Sequence, residues 1–196
     1  GGLARPPPNR LQAACGLHAD GPSVTWPVDA GTPFIHRGAL TMNVDIETCP
    51  ARRVAALAHQ GPYNTIGSAF ARLGGIVGPA GLCSHPDARM VAIYQDDPET
   101  VPAAQLRSAA GIIVPPGVSI PAPLHEVLLP AGRWARTLHR GSYQGLGDAW
   151  ERFLGQWLPQ SGYRMEAGDC FELYLNDMAD TREEDLQTLL YVPLQA

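Results

Sequence analysis

The chain has 196 residues, 45% of them apolar, with 14 basic against 19 acidic side chains and a net charge of −5. This composition excludes wholesale disorder and supplies one or two compact units with a proper core. Every basic residue is arginine, so Schiff-base lysine chemistry and the lysine-dependent phosphate loop are excluded, and the acidic balance argues against a direct nucleic-acid surface.

Residues 1–41 carry Pro6, Pro7, Pro8, Pro22, Pro27 and Pro33 among six glycines, without periodicity of 2 or 3.6. They read as a Pro/Gly-rich N-terminal arm or extension. Met42 opens the first strand-like segment, Asn43 to Thr48. No apolar run is long enough for a membrane span and no signal-peptide pattern begins the chain, so a cytoplasmic protein without membrane contact is expected. Cys15, Cys49, Cys83 and Cys170 show no C-x-x-C spacing and read as thiols, with no zinc site or other metal expected.

From Pro50 the chain repeats itself with a period of about 80 residues. His59-Gln-Gly-Pro-Tyr63 answers His139-Arg-Gly-Ser-Tyr143, Phe70 answers Trp150, Ile93-Tyr94 answers Leu173-Tyr174, and Leu106 answers Leu186. Val114-Pro115 answers Val192-Pro193 with a two-residue slip. In the first unit, 42–120, a weak helix is predicted over 64–77, where Gly74 and Gly75 each cost up to about 1 kcal/mol relative to alanine. In the second, 121–196, strands are predicted at 124–129, 133–139, 170–175 and 189–194. The helix between them carries Leu146, Trp150, Phe153, Leu154, Trp157 and Leu158 on one stripe and should end at Pro159 and Gly162. Each unit thus reads β-α-β-β after a lead strand, which predicts an α+β domain over 42–196 with pseudo-two-fold symmetry and a cleft between the halves.

Cofactor fingerprints are absent, and no cofactor is expected. His59 and His139 end equivalent strands and read as turn-holding residues. Glu172 is the informative acid, because it interrupts the apolar run Cys170-Phe-Glu-Leu-Tyr-Leu175. Alternation puts Phe171, Leu173 and Leu175 on one face, assigned to the helices, and Cys170, Glu172 and Tyr174 on the other, facing the groove. Its repeat counterpart is Ala92, so only one half carries the charge. An acid there is either solvated on an open sheet face or unpartnered among aromatics, its pKa raised by desolvation until an organic cation arrives. Tyr94, Tyr174, Tyr63, Tyr143 and Trp134 are the candidate rings for cation–π contact. Tyr63 and Tyr143 could instead staple the helix entries. Trp150, Phe153 and Trp157 read as core.

The paired His-x-Gly-x-Tyr strings, Tyr94-Gln-Asp-Asp-Pro98, Trp150 through Pro159 and Cys170-Phe-Glu-Leu-Tyr-Leu-Asn-Asp177 resemble the GyrI-like family across 42–196. That family includes the DNA gyrase inhibitor SbmC and effector-binding domains of AraC-type and MerR-type multidrug regulators. The resemblance implies a duplicated β-α-β-β (SHS2-type) fold, a standalone member, and a ligand-facing acid at Glu172. Ala109 and Leu189 depart from positions where members carry an acid. The function expected is binding of a hydrophobic, aromatic or cationic small molecule for sensing, sequestration or drug protection. The alternatives are a hydrolase of strained electrophilic natural products with Glu172 as general base, and a protein inhibitor whose partner is DNA gyrase.

Overall fold

Alternating apolar residues and closely spaced turns generate eight strands among the described residues. The computed structural model describes residues 42–196, and the expected arm over 1–41 lies outside the described residues. The strands are β1 (Val44–Cys49), β2 (Arg52–Gln60), β3 (Met90–Tyr94), β4 (Arg107–Val114), β5 (His125–Leu129), β6 (Gly132–Arg140), β7 (Cys170–Tyr174) and β8 (Gln187–Leu194). They form one antiparallel sheet in the order β1-β6-β8-β7-β3-β4-β2-β5. The lead strands are exchanged: β1 pairs with β6 of the second half and β5 with β2 of the first.

The registers repeat at a constant offset. Arg53 faces Val114 across β2 and β4, and Arg133 faces Leu194 across β6 and β8. Val114 therefore corresponds to Leu194, not to Val192, and the two-residue slip in the sequence alignment is corrected. Side-chain brackets recur with the strands: the Tyr63 hydroxyl donates to the Asp96 carbonyl at 2.6 Å and the Tyr143 hydroxyl to the Asn176 carbonyl at 3.4 Å. The backbone N–H of Arg107 donates to Asp96 Oδ2, and that of Gln187 to Asn176 Oδ1. An acid in one half and an amide in the other close the same turn, because both present a carbonyl-type acceptor.

Helix α1 (Gly67–Val77) buries Ala69, Phe70, Leu73, Gly74 and Val77 against β2, β3 and β4. The second helix begins as α2 (Leu146–Trp150), passes through a π-helical stretch, Glu151–Trp157, and ends as α3 (Leu158–Ser161). Ser142 Oγ accepts from the Gln144 N–H at its entry, and Gly162 terminates it with φ 78°. Pro159 lies inside the last segment instead of ending the helix. Leu158 donates its N–H to the Phe153 carbonyl, five residues back, so a new first turn starts there, where a residue without an N–H forfeits no bond.

Both faces of the sheet are buried. The helix-side face packs Ala92, Ala110 and Ile112 under α1, and Ala135, Cys170, Leu190 and Val192 under α2. The other face gathers Val54, Val91, Ile93, Leu129, Trp134, Phe171, Leu173 and Tyr191 into a core with no helix of the described residues over it. Residues from the edge strands β1 and β5 to the centre join that core, Cys49 and Leu129 among them, so the sheet curls on itself to exclude water. Gly111 makes room for the Val54 side chain in that core, since a Cβ would stand 2.4 Å from Val54 Cγ1. Cys49 and Cys170 are free and buried, whereas Cys83 is disulfide-bonded, a correction to the reading of all four as thiols.

Candidate functional site

The central strand pair, β3 and β7, joins the two halves and sets Ala92 directly opposite Glu172. A methyl group on one strand leaves room for a carboxylate and rings above the other. The helices lie over the Glu172 face, while Phe171 and Leu173 point into the curled interior, the reverse of the assignment made from alternation. Hydropathy could not separate the faces because each is apolar.

Glu172 is 1% exposed. Its Oε1 accepts from the Trp150 indole N–H at 2.7 Å, and its Oε2 accepts from the hydroxyls of Tyr174 at 2.6 Å and Tyr94 at 3.0 Å. The expected absence of partners is thus corrected to three donors, all of them uncharged. Burial drives the carboxyl pKa above the ordinary glutamate value; the bonds from Tyr174, Trp150 and Tyr94 oppose that shift, and His139 opposes it less. The same burial, with the neighbouring carboxylate charge, holds Tyr94 and Tyr174 far above the usual phenol value, so both keep the protons they donate.

The surrounding rings form two groups that meet at the carboxylate, one about Tyr94 and one about Tyr174. Tyr63 tilts against Tyr94 at 4.7 Å between centroids, and Tyr94 meets Trp150 edge-on at 6.1 Å. Tyr143 and Phe70 meet Tyr174 edge-on at 5.4 and 5.5 Å. Five of the six sequence candidates therefore converge: Glu172, Tyr174, Tyr94, Tyr63 and Tyr143. Trp134 does not; it is 2% exposed in the interior, against Phe171 at 5.1 Å and Tyr191 at 6.3 Å. Its position in β6 aims it to the opposite side of the sheet from Glu172. Ala109 and Leu189 also pack on that side, so acids there would not have faced Glu172.

Trp150, expected in the core, is a donor to the carboxylate. Its signal was the repeat itself, which sets an indole N–H where the first half has Phe70; a buried indole needs an acceptor. His59 and His139 hold turns, as read: His59 Nε2 lies 3.0 Å from Thr65 Oγ1 and His139 Nε2 lies 2.9 Å from the Ser142 carbonyl. Two surface concavities, of about 300 and 200 Å³, lie away from Glu172, the larger beside Trp134 and Glu166 and the smaller beside Arg53 and Asp87.

Comparison with known proteins carries the family. The chain is 34% identical over 131 residues to a DNA gyrase inhibitor of Yersinia enterocolitica, an alignment covering 64% of this chain and 82% of that protein. In structure it resembles the EcmrR C-terminal domain, with TM-score 0.67 and 18% identity over 79% of this chain and 98% of the other. It also resembles SAV2435 bound to tetraphenylphosphonium, with TM-score 0.60 and 12% identity over 79% and 95%. A third likeness is to a hydrolase of Listeria innocua, with TM-score 0.52 and 14% identity over 79% and 92%. At these identities the structural likenesses show the fold alone. Residues 42–195 match the GyrI-like small molecule binding domain, and with four-fifths of its length so matched, the chain belongs to the GyrI-like family.

Proposed function

We propose that this domain captures a hydrophobic, cationic and aromatic small molecule at Glu172, between its two helices, for sensing, sequestration or drug protection. One observation carries the reading: a carboxylate sealed among rings with three uncharged donors and no ion pair to a basic side chain among the described residues. Neutral donors solvate a carboxylate without cancelling its charge, and burial of an uncompensated charge is costly. A guest cation supplies the missing charge, and the faces of Tyr94, Tyr174 and Trp150 add about 0.5 to 2 kcal/mol each as they re-pack around it. These three rings are partly exposed, so they are the side chains a guest would displace on entry.

The binding reading is preferred to hydrolysis on the same ground. Opening the shell leaves the Glu172 charge uncompensated, and a cation supplies the opposite charge whereas a substrate water replaces only a hydrogen bond. The test is thermal denaturation against a panel of lipophilic cations, tetraphenylphosphonium and crystal violet among them, beside neutral triphenylphosphine oxide. A ligand at 100 times its dissociation constant adds about 2.7 kcal/mol, which for a domain of this size raises the midpoint by roughly 5 to 10 °C. Shifts are expected with the cations; no shift with any of them removes the reading.

The name of the relatives supports a second reading, a protein partner. In a supercoiling assay, purified DNA gyrase is expected to lose activity as the protein is titrated in. Undiminished supercoiling at large molar excess would dismiss gyrase as the target.

A further inference from the structure

Two buried hydroxyls stand beside the tyrosines that donate to Glu172, without partners among the described residues. Ser108 is 2% and Thr188 0% exposed, and among the described residues neither Oγ of Ser108 nor Oγ1 of Thr188 has a hydrogen-bond partner. They occupy the same place in the two repeats. Ser108 lies across from Tyr94 on one side and His59 on the other; Thr188 lies across from Tyr174 and His139. Alternation along β4 and β8 points both to the helix side, with Ala110, Ile112, Leu190 and Val192. Directly opposed residues have Cβ atoms about 5 Å apart, so each hydroxyl sits at the foot of a tyrosine that donates to Glu172.

None of the neighbouring polar groups satisfies them. The Nε2 atoms of His59 and His139 are engaged by Thr65 and Ser142. The hydroxyls of Tyr94 and Tyr174 are spent on Glu172, and those of Tyr63 and Tyr143 reach backbone carbonyls. A buried hydroxyl without a partner is costly and rare. Here it occurs twice, at repeat-related positions, beside the two tyrosines that donate to one acid.

We infer that Ser108 and Thr188 are specificity-determining groups of the Glu172 site, which select cations bearing N–H donors on both sides of the charged centre. The inference rests on the binding reading above. A guest that moves Tyr94 and Tyr174 off Glu172 uncovers both hydroxyls, whose lone pairs then accept from amino groups of the guest. Such a ligand is a flat or propeller-shaped aromatic cation with amino substituents at opposite ends, rather than a purely hydrocarbon cation.

Pararosaniline and crystal violet make the comparison, because they share one triarylmethyl cation and differ in that the second has every N–H replaced by methyl. Affinities are measured for the wild-type chain and for the double variant Ser108→Ala, Thr188→Val. The expected result is a loss of roughly tenfold for pararosaniline with crystal violet unchanged within about twofold, while the unliganded melting midpoint of the variant holds or rises, since an orphaned hydroxyl has been removed. Equal changes for the two dyes, or none, overturn the selectivity role and leave the cation site standing. A lowered unliganded midpoint assigns the hydroxyls to structure and overturns it as well. Failure of both dyes to bind the wild type overturns the site and this inference together.

Discussion

Glu172→Gln is expected to weaken a lipophilic cation such as tetraphenylphosphonium by roughly 10- to 100-fold, the scale of one charge-assisted contact in a dry site. A neutral guest of the same shape should lose almost nothing. The amide is nearly isosteric: with its oxygen in the place of Oε2 it still accepts from Tyr94 and Tyr174, while its NH2 faces the Trp150 N–H and forfeits that one bond. The unliganded variant should also gain stability relative to the wild type as pH rises, and the sign follows from linkage. Burial raises the folded-state pKa of Glu172 above that of the unfolded chain, so the folded state holds this proton more tightly. Its stabilising contribution is complete below the unfolded value and is lost as pH rises through the folded one. Other carboxyls titrate nearby: Asp169 and Asp177 are also raised by burial, while Asp96 is lowered by Arg107. The difference in stability between wild type and Glu172→Gln, followed upward from the ordinary glutamate range, isolates the one group. It should favour the wild type least at high pH, and in the same window cation affinity should rise with pH in the wild type only. Loss of cation and neutral guest in equal measure would show that the carboxylate is not a counter-charge.

Much of this was legible in the sequence because repetition turned weak local signals into paired ones. The strand of residues 43–48, the turns at His59 and His139 and the helix entry at Ser142 could each be read twice. Glu172 stood out because a charge inside an apolar run cannot be explained by local propensity. What could not be read was which way each strand faced. In a sheet covered by helices on one side and open on the other, polarity identifies the outer face; here the strands curl until Phe171 and Tyr191 are as dry as Leu190 and Val192. Alternation then gives two faces and no label for either, which is why Trp134 was grouped with the wrong rings. The exchange of β1 and β5 between the halves was equally hidden, since lead strands pair at long range and carry no local mark of their partner. Trp150 and the Ser108–Thr188 pair were within reach: both are visible as polar atoms at repeat-related positions, once the second half is compared with the first residue by residue.

Phe171→Ala should be the most damaging single truncation of the curled interior, at about 3 to 5 kcal/mol. Its ring is 1% exposed, stacks on Tyr191 with centroids 4.4 Å apart and planes 8° from parallel, and meets Trp134 edge-on. Removing it breaks a three-ring cluster that spans β7, β8 and β6, beyond the area lost from the side chain itself. For a domain of about 155 residues this corresponds to a fall in melting midpoint of roughly 6 to 20 °C. Phe171→Leu keeps most of the volume and should cost markedly less. The decisive feature is the direction of the side chain. Phe171 is adjacent to Glu172 in sequence but points through the sheet to the other side, so whatever fraction of the alanine variant remains folded should bind cations with affinity within about threefold of the wild type. Stability and binding should therefore separate: Phe171→Ala lowers the midpoint and spares the site, whereas Glu172→Gln keeps the core and weakens cation binding. A midpoint nearly unchanged by Phe171→Ala would mean that the face without helices is not a packed core, and the curl of the sheet inferred from it would have to be abandoned.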